Sequence, residues 1–418
     1  MLTIVAGSLA VLLGVPAKAQ QRAGTGAAPV EFDTDVSTGC QGCSQGPTFR
    51  ISVVTLATGL VNPSSMAFLP DGHSILVTER GGGGRLRLLR DGALDPGPVA
   101  GVPVAEGRLA KIQFEHLISV AIHPRFAENH FVYVTYPKSG ERGSTLAVAR
   151  GRLDGMTLTD VHDIFLADAW VSSGAASFGG KLLFGPDGML YLTVSDRDTQ
   201  FGTGDSSKRM RAQDLGSHAG KVLRLRDDGR VPSDNPFVER AGAKPEIYTY
   251  GHRNMYGLAF HPETGVLWEA ELGPTGGDEV NILLPGRNYG WPLVSLGRNY
   301  NGELVSDQPW WRPGIEMPRF FWVPALSPSS LTFVTSDRFA PWKGNLLVAG
   351  MSGRQVQRIA INQPPLHRER RESLLTELGL RFRDVQQGPD GYLYVAAEKS
   401  GAAVPDGAIM RIEPAPSR

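Results

Sequence analysis

Apolar residues along this chain come in short runs, each bounded by Pro, Asp, Gly or Asn, and six of those boundaries share one signature. Phe68-Leu69-Pro70-Asp71-Gly72 precedes Ile75-Leu76-Val77, Ile122-His123-Pro124 precedes Phe131-Val132-Tyr133-Val134, and Phe184-Gly185-Pro186-Asp187-Gly188 precedes Leu190-Tyr191-Leu192. Phe260-His261-Pro262 precedes Leu267-Trp268, Phe339-Ala340-Pro341 precedes Leu346-Leu347-Val348, and Gln387-Gly388-Pro389-Asp390-Gly391 precedes Leu393-Tyr394-Val395. Each reads as a strand end, a tight turn made of residues that tolerate special dihedrals, and a β-branched or aromatic strand, which is hairpin chemistry. Copies recurring every ~50–80 residues fit four-stranded blades with long loops better than strict short repeats. The pattern predicts an all-β fold, a six-bladed β-propeller of four-stranded antiparallel blades over residues 48–415, with its site where the innermost strands converge on the central channel.

Ahead of the repeats the pattern changes. Residues 1–19 form an apolar run ending in Ala17-Lys18-Ala19, the small-x-small pattern of a signal-peptide cleavage site, and predict a periplasmic or secreted protein. The run is shorter than a bilayer span, and no later segment is apolar enough to cross, so no membrane span is expected in the mature chain. Residues 20–47 are polar and read as a flexible leader; they hold both cysteines, Cys40 and Cys43, whose spacing lacks the following His or second Cys pair that haem or zinc would need. A local disulfide is the simpler expectation. The 42 basic and 42 acidic side chains cancel, which argues against nucleic acid as a partner and for a small neutral one.

Several motifs occur in order through the repeats: Phe178-Gly179-Gly180-Lys181-Leu182, Gln213-Asp214-Leu215, Asp234-Asn235-Pro236-Phe237, Gly251-His252-Arg253-Asn254, Gly273-Pro274 with Gly276-Gly277-Asp278-Glu279, Asn288-Tyr289-Gly290-Trp291-Pro292, and Arg381-Phe382-Arg383-Asp384. As a set they resemble the soluble sugar dehydrogenases of the glucose/sorbosone and aldose type, which use pyrroloquinoline quinone (PQQ) and Ca²⁺. The resemblance implies oxidation of the C1 hydroxyl of an aldose, with electrons leaving to an external acceptor. It assigns Arg253, Asn254, Arg381 and Arg383 to the cofactor, whose carboxylates call for guanidinium partners. The competing reading pairs these arginines with carboxylates of the propeller itself, such as Asp384. Gly273 and Pro274 would offer carbonyl oxygens to Ca²⁺. Asp278 and Glu279 are expected to be structural, satisfying loop backbone donors.

The same resemblance exposes a departure. Where the family has its catalytic histidine, this chain has Ser177, and the cofactor lysine is replaced by Ser352. A serine is no base at neutral pH, so activity is expected to be reduced or changed. His116, beside Glu115, is the candidate substitute base, although neighbours on a strand point to opposite faces. Two non-redox alternatives stay open: a sugar-binding or small-molecule module, and a hydrolase-like enzyme using Glu115, His116 or Ser177. His123, His218, His252 and His261 read as satisfied structural histidines. The glycines Gly81–Gly84 precede a strand rather than a helix, which excludes a dinucleotide fingerprint.

Overall fold

The computed structural model describes residues 29–35, 48–105, 116–172, 177–198, 206–308, 311–361 and 369–415. Six antiparallel sheets stand in a ring, a six-bladed β-propeller with almost no helix among the described residues. Blade 1 runs outward from the axis as Pro63–Phe68, Ser74–Glu79, Arg85–Arg90 and Ala93–Leu94. Blade 2 is Ser119–Ile122, Phe131–Gly140, Gly143–Asp154 and Thr157–Leu166; blade 3 is Gly179–Phe184, Leu190–Val194, Lys221–Leu225 and Ile247–Tyr250. Blade 4 is Asn254–Phe260, Leu267–Leu272, Asp278–Leu283 and Phe320–Trp322, and blade 5 is Pro328–Phe333, Leu346–Gly350, Gln355–Ile361 and Glu369–Leu374. Blade 6 takes Arg381–Gln387, Leu393–Glu398 and Gly407–Pro414 from the end of the chain and Thr48–Leu60 from its beginning, so Ile51 pairs with Pro414 and Leu60 with Gly407. This shared blade closes the ring and protects what would otherwise be two sheet edges.

The repeated signature is the hairpin between the first and second strand of each blade. In the Pro-Asp-Gly copies one geometry recurs: the Gly188 amide donates to the Gly185 carbonyl at 2.9 Å, and that of Gly391 to Gly388 at 2.9 Å. The turn glycine has positive φ, 74° at Gly188 and 81° at Gly391, a region that disfavours a side chain. The aspartate caps the turn by accepting from the backbone two residues on, Met189 or Tyr392, at 3.1 Å. The fifth copy differs from expectation: the inner strand ends at Phe333, and Phe339–Pro341 lies in a 3₁₀ turn, Asp337–Trp342, within the hairpin. Phe339 and Trp342 are buried there against Phe49 of blade 6, so their apolar character serves packing between blades rather than a strand end.

Six apolar clusters fill the six gaps between blades, one per gap. Each sheet is therefore buried on both faces, which is why second strands such as Leu346–Gly350 read as continuous apolar runs instead of alternating. The expected leader is corrected in part: Val30–Asp35 forms a fifth strand on blade 6, paired antiparallel with Thr48–Leu60, with Phe32 packed on the gap between blades 5 and 6. The apolar run 1–19, Cys40, Cys43 and Glu115 lie outside the described residues. Among the described residues no helix is long and apolar enough to cross a membrane.

Candidate active site

Ser177, Arg253, Asn254, Arg381 and Arg383 flank or begin inner strands at the end where those strands start, and Gly273 and Pro274 follow the second strand of blade 4 at the same end, since Leu272 pairs with Asn254. There Ser64, Ser65, Arg80, Ser119, Lys181, Tyr256, Ser329, Met351 and Arg383, from all six blades, face one another. At the opposite mouth the channel widens into a mainly apolar funnel of about 730 Å³, lined by strand ends such as Phe68, Ile122, Phe184, Phe260 and Phe333. That space is far larger, but the charged groups that suit an anionic cofactor are at the first mouth, and the site is placed there.

Arg381 and Arg383 are held by a residue that sequence reasoning missed. The fully buried carboxylate of Glu398, in the adjacent strand, accepts from Arg383 Nε at 2.8 Å and Arg381 Nε at 3.3 Å, and its other oxygen accepts from Asn62 Nδ2 at 2.5 Å. The carboxylate partner proposed for the arginines, Asp384, instead takes Lys181 Nζ at 3.3 Å, Ser330 Oγ at 2.5 Å and the Met66 amide at 2.8 Å, tying four blades together across the axis. Burial draws the Arg383 guanidinium below its usual range, with Glu398 opposing the shift. Arg80, also missed, is buried with its guanidinium 5.1 Å from the Tyr256 ring centroid, a cation–π arrangement. Lys181 is the lysine the site possesses; the expected position, Ser352, is occupied by a hydroxyl bonded to Ser327 Oγ at 2.6 Å.

Arg253 leads into the inner strand of blade 4. Its amide donates to Glu271 Oε2 at 2.6 Å, Nη1 donates to the carbonyls of Leu272 and Gly273 at 2.9 Å each, and the guanidinium stands 5.4 Å from the Trp291 ring centroid. Asp278 accepts from the Gly273 amide at 2.8 Å and from Ser327 at 2.7 Å, the structural role expected of it. The Gly273 carbonyl is thus in a loop fixed for cation contact, and the cation it meets here is Arg253. Calcium at Gly273 and Pro274 requires that guanidinium to turn away.

Asp196 is a further residue the sequence did not flag. It follows the second strand of blade 3, is 2% exposed, and accepts from Trp291 Nε1 at 2.7 Å and the Asp198 amide at 3.0 Å, while its own amide donates to the Arg253 carbonyl at 2.7 Å. Burial pushes its carboxyl up to about 6, with Arg253 acting in the opposite direction. Its signal was the Asp itself, within Ser195-Asp196-Arg197 directly after an apolar strand.

The proposed bases are less well placed. His116 is buried with its amide bonded to the Arg80 carbonyl at 3.1 Å, and it is not among the residues facing the cavity beside Arg383. Ser177 is half-buried; its carbonyl accepts from Ser195 Oγ and, at 2.6 Å, from Arg197 Nη1. Among the described residues no imidazole or carboxylate bonds its hydroxyl, so the geometry gives no support to a serine nucleophile.

A polycarboxylate quinone suits this donor set. Arg80, Lys181 and Arg383 line one small cavity, where Asp384 pairs with Lys181 and Glu398 with Arg383, and Arg253 lines a second beside Gly273 and Trp291; two buried polar atoms at the start of blade 4, Arg253 Nε and Asn254 Oδ1, have no hydrogen-bond partner. Unpaired buried groups of this kind are costly unless a ligand meets them.

A six-bladed propeller with a cationic channel mouth of this composition is the architecture of a quinoprotein sugar dehydrogenase. The family model for glucose/sorbosone dehydrogenase matches residues 60–410, and the chain belongs to that family of PQQ-dependent sugar dehydrogenase propellers. The chain is 36% identical over 377 residues to the aldose sugar dehydrogenase YliI of Escherichia coli, covering 87% of this chain and 93% of that one. It is 32% identical over 273 residues to quinoprotein glucose dehydrogenase B of Acinetobacter calcoaceticus, covering 60% and 54%. The PQQ-bound aldose sugar dehydrogenase of Streptomyces coelicolor superimposes with a TM-score of 0.65 at 25% identity, over 87% of this chain and 98% of that one.

Proposed function

We propose that the chain is an exported quinoprotein that holds PQQ at this mouth and oxidises the C1 hydroxyl of an aldose slowly, passing electrons to an external acceptor. The observation that carries the reading is the set of buried cations around Arg383 together with the unpaired Arg253 Nε and Asn254 Oδ1. Support for export comes from the apolar run 1–19, and support for a sugar substrate from the relatives.

When bound, PQQ supplies the two-electron oxidant. The chain contributes charge and position. Arg383, fixed by Glu398, and Arg80, over Tyr256, present guanidinium groups to carboxylates, and Asn254 offers its amide oxygen as an acceptor. Gly273 and Pro274 would hold Ca²⁺ once Arg253 has turned, which also frees that guanidinium for the cofactor. At position 177, where the resemblance calls for a base, Ser177 cannot take a proton near neutral pH, and a missing general base costs about 10²–10⁴ in rate.

Metal-stripped protein titrated with PQQ, with and without Ca²⁺, and followed by absorbance and by dye reduction with a panel of aldoses, tests this. Saturable PQQ binding with slow, sugar-dependent dye reduction is expected. Failure to bind PQQ in either condition would remove the reading.

A further inference from the structure

The second strands of the blades can be aligned through their hairpin registers, and one position stands out. Phe184 pairs with Leu190, Phe260 with Leu267, Phe333 with Leu346, Gln387 with Leu393, Phe68 with Ile75 and Ile122 with Val132. Two residues further on, five blades carry Leu192, Val348, Val395, Val77 and Val134, all packed into an apolar gap. Blade 4 carries Glu269 there, wholly buried. Burying a carboxylate in place of an aliphatic residue costs several kcal/mol unless something neutralises it.

Its surroundings contain what a cation would need. His252 Nδ1 lies 3.4 Å from Glu271 Oε1 and 3.9 Å from Glu269 Oε2, and one ligand atom from each of the three residues falls within 4.8 Å of the others. Two donors on a tetrahedral ion with bonds of about 2.0–2.1 Å stand about 3.4 Å apart, so the imidazole and Glu271, joined here by a long hydrogen bond of 3.4 Å, are also spaced as co-ligands. The other ring nitrogen, Nε2, meets Thr249 Oγ1 at 2.9 Å, the outer contact that orients a metal-binding histidine. Asn281 places its amide 3.2 Å from Glu269 and 3.1 Å from Glu271, and heavy-atom positions do not distinguish the amide oxygen from its nitrogen. Two fully buried atoms here, Glu269 Oε1 and Asn281 Oδ1, have no hydrogen-bond partner.

We infer that His252, Glu269 and Glu271, with the Asn281 side chain, bind a first-row divalent cation of the zinc class in the gap between blades 3 and 4. One imidazole among oxygens favours such an ion over calcium, which prefers an all-oxygen shell. The site is distinct from the carbonyls of Gly273 and Pro274. It touches the cofactor mouth through Glu271, whose Oε2 accepts the Arg253 amide at 2.6 Å, so the ion would brace that arginine.

The test uses full-length protein, stripped with chelator, re-equilibrated with Zn²⁺, Mn²⁺ or Ca²⁺ and dialysed, with metal content read by mass spectrometry and stability by thermal melting. One zinc or manganese per chain is expected, with Tm raised by at least about 3 °C. Glu269→Leu, which installs the side-chain type of the other five blades, and His252→Gln should lose both effects. No first-row metal on the stripped wild type, or equal metal content in wild type and Glu269→Leu, would overturn the site and mean that Glu269 is simply protonated. Should Glu269→Leu fail to fold, chelation and reloading of the wild type decide alone. Metal content is read without PQQ or sugar, so the proposed activity and this site can fail separately.

Discussion

Replacing Asp196 by Asn should make the protein more stable at pH 8 and slightly less stable at pH 4. Two effects act on this carboxyl in opposite directions: burial favours the neutral acid, and Arg253 favours the carboxylate. Burial wins, moving the group from 3.8 to about 6, or about two units. At 1.36 kcal/mol per unit, ionised Asp196 costs the folded state about 3 kcal/mol relative to the protonated form. The sign follows from proton binding. Between pH 4 and 6 the folded chain keeps a proton that the unfolded chain has released, so the contribution of Asp196 to stability is full below about 4 and is lost as pH rises through 6. Asparagine never ionises and escapes that loss. It can accept from only one of the two donors, Trp291 Nε1 or the Asp198 amide, which costs about 1 kcal/mol at every pH. Urea unfolding of both proteins at pH 4, 6 and 8 should therefore show Asp196→Asn weaker by about 1 kcal/mol at pH 4 and stronger by about 2 kcal/mol at pH 8. A difference that stays constant, or that turns against Asn as pH rises, would refute the argument and mean that Asp196 is an ionised partner of Arg253.

Three further outcomes follow from the site. Ser177→His should raise PQQ-dependent dye reduction with aldoses about 10²–10⁴-fold while leaving PQQ affinity unchanged, as steady-state assays and absorbance titration would show; no rise would mean that the base is not what limits the reaction. Arg383→Met should weaken PQQ binding about 10- to 100-fold, the value of one or two charge-assisted hydrogen bonds, read by the same titration. Glu398→Ala removes the carboxylate that meets Arg381, Arg383 and Asn62. Leaving a buried guanidinium unpaired should cost about 3–5 kcal/mol in urea unfolding, and a loss below about 1 kcal/mol would show that Arg383 finds another partner.

Blades 1, 3 and 6 were the most legible in the sequence because their hairpins depend on local chemistry: an aspartate caps the turn and a glycine takes positive φ, and both are written within five residues. Where the hairpin is longer, as after Phe333, the local signal fell on a loop, because Phe339 and Trp342 are apolar for the sake of Phe49, far earlier in the chain. The strand Val30–Asp35 was missed for the same reason: it is polar on its outer face and exists only because Thr48–Leu60 offers an edge. At the site, Arg253, Arg381 and Arg383 were recoverable from their motifs. Glu398 and Arg80 were not, and Lys181 stood in a motif without its role, since these roles come from ring closure: Glu398 meets Asn62 across 336 residues and Lys181 meets Asp384 across 203. His252 was read as a satisfied structural histidine, and both ring nitrogens do have partners, Thr249 and Glu271; Glu269, at a position that is aliphatic in the other five blades, stands out only after the six blades are set in register.

Exchange of the residue at position 177, where the resemblance places a histidine, is tolerable on structural grounds. The backbone at Ser177 is fixed through its carbonyl, by Ser195 Oγ and by Arg197 Nη1 at 2.6 Å, and Arg197 is itself wholly buried, with its guanidinium 3.7 Å from the Phe178 ring centroid and bonded to the Ala169 carbonyl at 3.2 Å. None of these contacts involves the Ser177 side chain. The chain can therefore exchange the residue at this position without moving the strand that follows, Gly179–Phe184, or the Lys181 ammonium it delivers to the axis. Chemistry and scaffold are separable at this position, so the proposed loss of rate would leave the cationic mouth intact, and placing a single imidazole there isolates the base from the other components of the site.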